Sequence, residues 1–248
     1  MTWPTTIVRH GHKYLIEGVL MAVFMLVLAA GGTVLEHPAS PIHQFLTEPY
    51  ARRVVMGMLA GATLIGLIYT PWGQTTGAHL NPAVTLAYWQ VGKIGPRNAI
   101  GYIIAQCLGA YGGMAMAVTL FGDALGHPAV QYVTTQPGQS GSTAAFAAEW
   151  SLSFLLMVVV RTTSLSERWA PRTGLCVGLF VMIFVAIESP VSGMSLNPAR
   201  TIGASIWARD AQGLWIYLVA PPLGMLCAAE VIRLIVRTLR QAAQLPNV

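Results

Sequence analysis

Charge is what this sequence has least of. Lys, Arg, Asp and Glu together make up 9% of its 248 residues, against about 25% in an ordinary soluble domain. So few charges cannot cover a water-facing surface, which excludes a soluble globular protein and makes lipid the main solvent. The short alternating segments of a membrane barrel are lacking as well. The apolar residues, 54% of the chain, fall in long continuous runs. Only helices can then satisfy the backbone across a bilayer. Cysteine is scarce: Cys107, Cys176 and Cys227 all lie inside apolar runs and read as small buried hydrophobes. No short apolar core with a cleavage site opens the chain, so a removed signal peptide is not expected. The ends are short, and no nucleophile or metal-ligand set stands out. We therefore expect no enzyme, no cofactor and no bound metal. The net charge of +5 is assigned to residues flanking membrane spans, not to nucleic-acid binding.

A span needs about 20 mostly apolar residues. Six segments qualify, near Tyr14–Leu35, Arg52–Thr70, Asn98–Phe121, Ala144–Thr163, Thr173–Pro190 and Gly213–Val236. Two semi-apolar stretches, Thr75–Gly92 and Val191–Ala208, are too short to span as well as turn. With both termini inside, Lys and Arg concentrate on the inner loops, so cytoplasmic termini are expected. Arg52 and Arg53 weigh the other way.

The chain repeats itself. Thr76-Gly77-Ala78-His79-Leu80-Asn81-Pro82-Ala83 matches Ser192-Gly193-Met194-Ser195-Leu196-Asn197-Pro198-Ala199, and Tyr102–Gly109 matches Tyr217–Gly224. Glu17 in the first span is matched by Glu149 in the fourth. Three spans per half is an odd number, so the second half enters from the opposite face. That is an inverted repeat in one channel domain, residues 1–121 against 144–248, and such repeats place their site at the interface near the midplane.

Asn-Pro starts a helix in two residues, because Asn caps and Pro suits the first helical position. The stretch after Asn81 can run about ten residues before Gly92, or about 15 Å, half the hydrocarbon core. Two half-helices entering from opposite faces would bring both positive ends to the centre. Such ends disfavour cations and protons, and the two Asn amides can donate to a passing oxygen, so neutral molecules with lone pairs can trade water hydrogen bonds for these at little cost.

Gly77-Ala78-His79-Leu80-Asn81-Pro82-Ala83-Val84-Thr85 and Asn197-Pro198-Ala199-Arg200 resemble the signatures of the aquaporin and glycerol-facilitator family, the major intrinsic proteins. The resemblance covers nearly the whole chain. It implies an all-α membrane protein of six spans plus two half-helices, a path through each protomer, a homotetramer in the bilayer, and passage of water and small neutral solutes. A bacterial inner membrane is the expected setting.

The resemblance also implies roles. Asn81, Pro82, Ala83, Asn197, Pro198 and Ala199 would form the central motifs. Arg200, an ionisable residue in an apolar setting and so functional by default, would guard the outer constriction. Gly61, Val185 and Met194 would complete that constriction, with Ala62 replacing Gly61 after a one-residue slip. Glu17 and Glu149 would hold the loops by accepting from backbone N–H groups. His79 is either a gate titrating near neutral pH or, as we read it, hydrogen-bonded support beside the path. Glu188 has no counterpart in the repeat and either borders the outer vestibule or faces solvent. His10-Gly11-His12 is read as solvated. Gly57, Gly61, Gly174 and Gly178 carry the spacing of closely packed spans.

The aromatic and histidine of strict water channels are missing from the constriction, as are the aromatics of glycerol facilitators. The aspartate that follows the arginine in facilitators is Thr201 here. Ser205 is water-channel-like, and Tyr217-Leu218 is mixed. We expect water plus glycerol- or urea-sized solutes to pass. The alternatives are a strict water channel, a secondary transporter, which shares inverted repeats and broken helices, and a membrane scaffold with no flux.

Overall fold

The computed structural model of the chain describes residues 3–243, and no strand occurs among them. Its helices are α1 (Trp3–Glu36), α2 (Pro41–Phe45), α3 (Pro49–Tyr69), α4 (Pro71–Thr76), α5 (Pro82–Gln90), α6 (Pro96–Phe121), α7 (Asp123–Gly126), α8 (Gly141–Leu165), α9 (Thr173–Ser192), α10 (Pro198–Ala208) and α11 (Leu214–Ala242). Six of them, α1, α3, α6, α8, α9 and α11, are long and apolar enough to cross a membrane, and they match the six expected spans. The outer two overshoot: α1 begins at Trp3, well before Tyr14, and α11 runs to Ala242, past Val236. Lys and Arg are good helix formers whose stems lie along apolar surface, so a helix need not stop where the hydrocarbon does.

Proline sets many of the starts. Pro41, Pro49, Pro71, Pro82, Pro96 and Pro198 each open a helix, where the missing N–H is one that no helix uses. The two half-helices, α5 and α10, follow directly from the Asn-Pro pairs.

The most extensive packing is of α1 on α6, of α8 on α11 and of α3 on α9. The first two pairs are equivalent under the repeat. The third joins equivalent helices from opposite halves, so the pseudo-two-fold axis passes between them. There the backbones approach closely: a Cβ at Gly61 would run into the carbonyl oxygen of Gly178, and one at Gly57 into that of Met182. Small residues at these positions permit the contact. Each half-helix lies mainly on the last span of the other half, α5 on α11 and α10 on α6.

Six spans return the chain to the face on which it began. From α5 the chain leads to Lys93 on that face. From α10 it leads to Asp210, which accepts a hydrogen bond from Gln136 in the loop joining α6 to α8 on the other face. The half-helices therefore enter from opposite sides. Met21, Met25, Met114, Met157 and Met225 fill the interior, while Leu15, Leu108, Leu120 and Ile187 are exposed toward lipid. Cys107 and Cys176 are only partly buried, and Cys227 is exposed on α11. The expectation of three buried thiols is thus corrected: the apolar solvent outside the bundle accepts a small hydrophobe as readily as the core does.

Candidate functional site

The site grows from two loops of the same shape. Gly77 and Gly193 have φ of +87° and +80°, Ala78 and Met194 +44° and +50°, Leu80 and Leu196 +50° and +53°. Left-handed backbone at a residue with a Cβ costs about 1–3 kcal/mol and persists only when surroundings enforce it. The enforcing group in each loop is a buried carboxylate. Glu17 accepts from the N–H groups of His79 (3.0 Å) and Leu80 (2.8 Å) and from the Gln106 side-chain amide (2.8 Å). Glu149 accepts from the N–H groups of Ser195 and Leu196, both at 2.7 Å, and from the Ser192 hydroxyl at 2.8 Å. Those N–H groups turn toward the carboxylates, so trans peptide geometry turns the carbonyls of Ala78, His79, Met194 and Ser195 the other way, toward a cavity that these same residues line.

Each loop then starts its half-helix. The Asn81 side chain accepts from the N–H of Ala83, and that of Asn197 from those of Ala199 and Arg200. Their amides cross over: Asn81 Nδ2 donates to the Leu196 carbonyl at 2.7 Å, and Asn197 Nδ2 to that of Leu80 at 2.8 Å. An amide has two N–H donors. One on each side thus locks the halves together, and the other is left for the cavity that both asparagines line.

A cavity of about 160 Å³ runs beside Arg200, Asn197 and Asn81, and a second of about 290 Å³ continues from it toward the face carrying the chain ends. They share Ile68, Ala78, His79, Val84, Leu156 and Val177. Along α3 the lining residues are Met56, Ala60, Leu64 and Ile68, one face at i, i+4 spacing, extending about 18 Å. Val185, Met194 and Arg200 line the first cavity. Gly61 does not, and this corrects its assignment to the constriction: it is buried against Gly178 and Met182 of α9. Ala62 is exposed on the outside of the bundle. One residue turns a helix by about 100°, so Ala60 lies on the lining face and Gly61 on the packing face.

His79 lines both cavities. Its ring contacts Thr85 Oγ1 at 3.1 Å, stacks on Tyr88 and meets Tyr102 edge-on. Glu188 does not face solvent: it is buried, next to the cavity-lining Ser189, and its Oε2 lies 2.9 Å from the Ser192 hydroxyl, which also contacts Glu149. Arg200 keeps one nitrogen, Nη1, buried without a partner among the described residues. Much of the remaining lining is apolar, and α1 contributes Phe24 and Leu28. The sequence reading had not singled out these two residues, although they lie on one face of the first span, four apart. His10, Gly11 and His12 lie on α1, partly or fully exposed.

The model of the family described as "Major intrinsic protein" matches residues 10–232. The chain belongs to that family. Its similarity to a glycerol uptake facilitator protein-like 6 of Lactiplantibacillus plantarum is 35% identity over 88% of this chain and 94% of the relative. Aquaporin NIP1-3 of Oryza sativa subsp. japonica is 36% identical over 71% of this chain and 59% of its own length. The aquaglyceroporin of Plasmodium falciparum, 21% identical, has the same fold, with a TM-score of 0.73 over 89% of this chain and 94% of that one. Members of the major intrinsic protein family are membrane channels, and six apolar helices make this chain an integral membrane protein.

Proposed function

We propose that this channel conducts water together with small uncharged solutes of glycerol or urea size, and passes neither protons nor ions. The observation that carries the reading is the asymmetry of the first cavity. Arg200 brings its guanidinium to the lining, and Phe24, Met56, Ala60 and Val185 bring only apolar groups. A solute with hydroxyls on one edge and carbon on the other suits such a lining better than water does. Single-file water gains most from donors on both sides. In the proposed filter Ala60 takes the place first given to Gly61, beside Val185, Met194 and Arg200. The six Asn-Pro-Ala residues form the central constriction, supported by Glu17, Glu149 and His79. Exclusion of cations rests on two half-helix N-termini meeting at the centre, with Arg200 beyond them. The similarity to a bacterial glycerol uptake facilitator-like protein supports the solute class. A homotetramer in a bacterial inner membrane, with both chain ends cytoplasmic, belongs to the same proposal.

Stopped-flow light scattering on proteoliposomes tests it. Water, glycerol and urea should all permeate faster than through protein-free vesicles, without saturation or dependence on an ion gradient. Fast water with glycerol and urea excluded would make this a strict water channel. Flux that saturates and follows an ion gradient would make it a transporter.

A further inference from the structure

The chain-end face carries a second cavity system that the path does not use. A pocket of about 390 Å³ lies where α8 and α11 end and the chain leaves α5. Five cations line it: Lys93, Arg161, Arg233, Arg237 and Arg240. No carboxylate lines it among the described residues. Arg233, Arg237 and Arg240 stand at i, i+4 and i+7 on α11, hence on one face. Glu230, on the same helix, is paired with Arg233 at 2.7 Å and also accepts from Gln90.

Cations at helix C-termini are ordinary, because they offset the macrodipole, and Arg240 lies in the last turn of α11; Arg233 is paired with Glu230, and the exposed Lys93 and Arg237 can be read as ordinary solvated charges. Arg161 cannot. It is only 7% exposed, its Nε is buried without a partner, and it forms no hydrogen bond or ion pair with any described residue. A buried guanidinium left unpaired is costly unless something supplies acceptors. The pocket it lines is large enough for a ligand, and Val91, Leu165 and Val236 form an apolar wall beside the charges.

The geometry points to a binding site for a phosphate-bearing anion, held by Arg161 from within and by Lys93, Arg237 and Arg240 at the rim. Guanidinium groups recognise phosphate through paired hydrogen bonds, and basic pockets between membrane helices suit anionic headgroups. The phosphate can come from a lipid headgroup, the apolar wall taking the first carbons of its chains, or from a soluble phosphate compound.

The test uses the full chain in a neutral detergent, following thermal unfolding while inorganic phosphate or a short-chain phosphatidylglycerol is added. Chloride at matched ionic strength and short-chain phosphatidylcholine are the controls. A rise in Tm with phosphate beyond chloride assigns the site to a soluble anion. A rise with phosphatidylglycerol alone assigns it to a lipid headgroup. The double variant Arg237→Gln/Arg240→Gln, altered only at exposed positions, should weaken the response about thirtyfold, at about 1 kcal/mol for each cation removed. Arg161→Gln should abolish it. No rise with either probe beyond its control, or an unchanged response in the double variant, overturns the site.

Discussion

The two halves of the channel solve one problem with different side chains. Each holds a left-handed loop against a buried glutamate, and in each a tyrosine donates to the first carbonyl of the loop: Tyr102 to Thr76 at 3.0 Å and Tyr217 to Ser192 at 2.5 Å. The third donor differs. Glu17 takes its third bond from Gln106, a residue of α6. The matched position of α11 is Pro221, which has no donor, and Glu149 instead uses Ser192 from its own loop. Ser192 also faces Glu188, and one hydroxyl hydrogen serves one oxygen at a time. His79 bonds Thr85 in the first half, and the smaller Ser195 bonds Thr201 in the second. The first half is thus tied to a neighbouring span, and the second is tied mainly to itself. Backbone geometry is what the repeat preserves, and side chains are free to vary wherever another donor can reach the same carboxylate.

The comparison can be broken most sharply at the glutamates. Glu17→Ala strands the N–H groups of His79 and Leu80 and one of the two N–H groups of Gln106, whose Nε2 keeps Thr85 as its other acceptor, at about 1–3 kcal/mol each. Glu149→Ala strands only two, because Ser192 retains Glu188. Both should lower the midpoint of thermal unfolding in detergent, Glu17→Ala by clearly more. Equal shifts would mean that the third donors contribute nothing.

The pseudo-axis gives the next largest effect. Gly61→Val should destabilise the α3–α9 contact by about 1–3 kcal/mol or more through overpacking and reduce folded yield. Ala60→Phe should leave folding nearly intact while cutting glycerol flux more than water flux, read by stopped-flow scattering. If Gly61→Val folds normally and Ala60→Phe does not, the lining face has been assigned to the wrong residue.

At the crossing point the halves should respond almost alike. Asn81→Ala and Asn197→Ala each lose a cap, worth about 0.5–2 kcal/mol, and one bond between the halves. Asn197→Ala should be somewhat the worse, since its side chain caps two N–H groups and that of Asn81 one. Thermal unfolding of the two variants side by side checks the order. The smallest effect belongs to the tyrosines: Tyr102→Phe and Tyr217→Phe should each lose about 1 kcal/mol, with water permeability per protomer nearly unchanged.

The sequence by itself determined the six spans, the two half-helices and the inverted repeat. These signals are local: hydropathy over a span, Asn-Pro as cap and first residue, and identical spacing around it. Tertiary structure alone decided which face of α3 lines the path. Counting back from Asn81 crosses α4 and two non-helical stretches, and a phase error of one residue is a rotation of about 100°, enough to exchange Ala60 for Gly61. It also decided which donor completes each carboxylate, since Gln106 lies 89 residues from Glu17 while Ser192 lies 43 from Glu149. Phe24 and Leu28 could be seen on one helical face, but whether that face met lipid or the path depended on packing. Arg161 reads in sequence as one more basic residue flanking a span; its burial and lack of a partner exist only because α8 and α11 close around it.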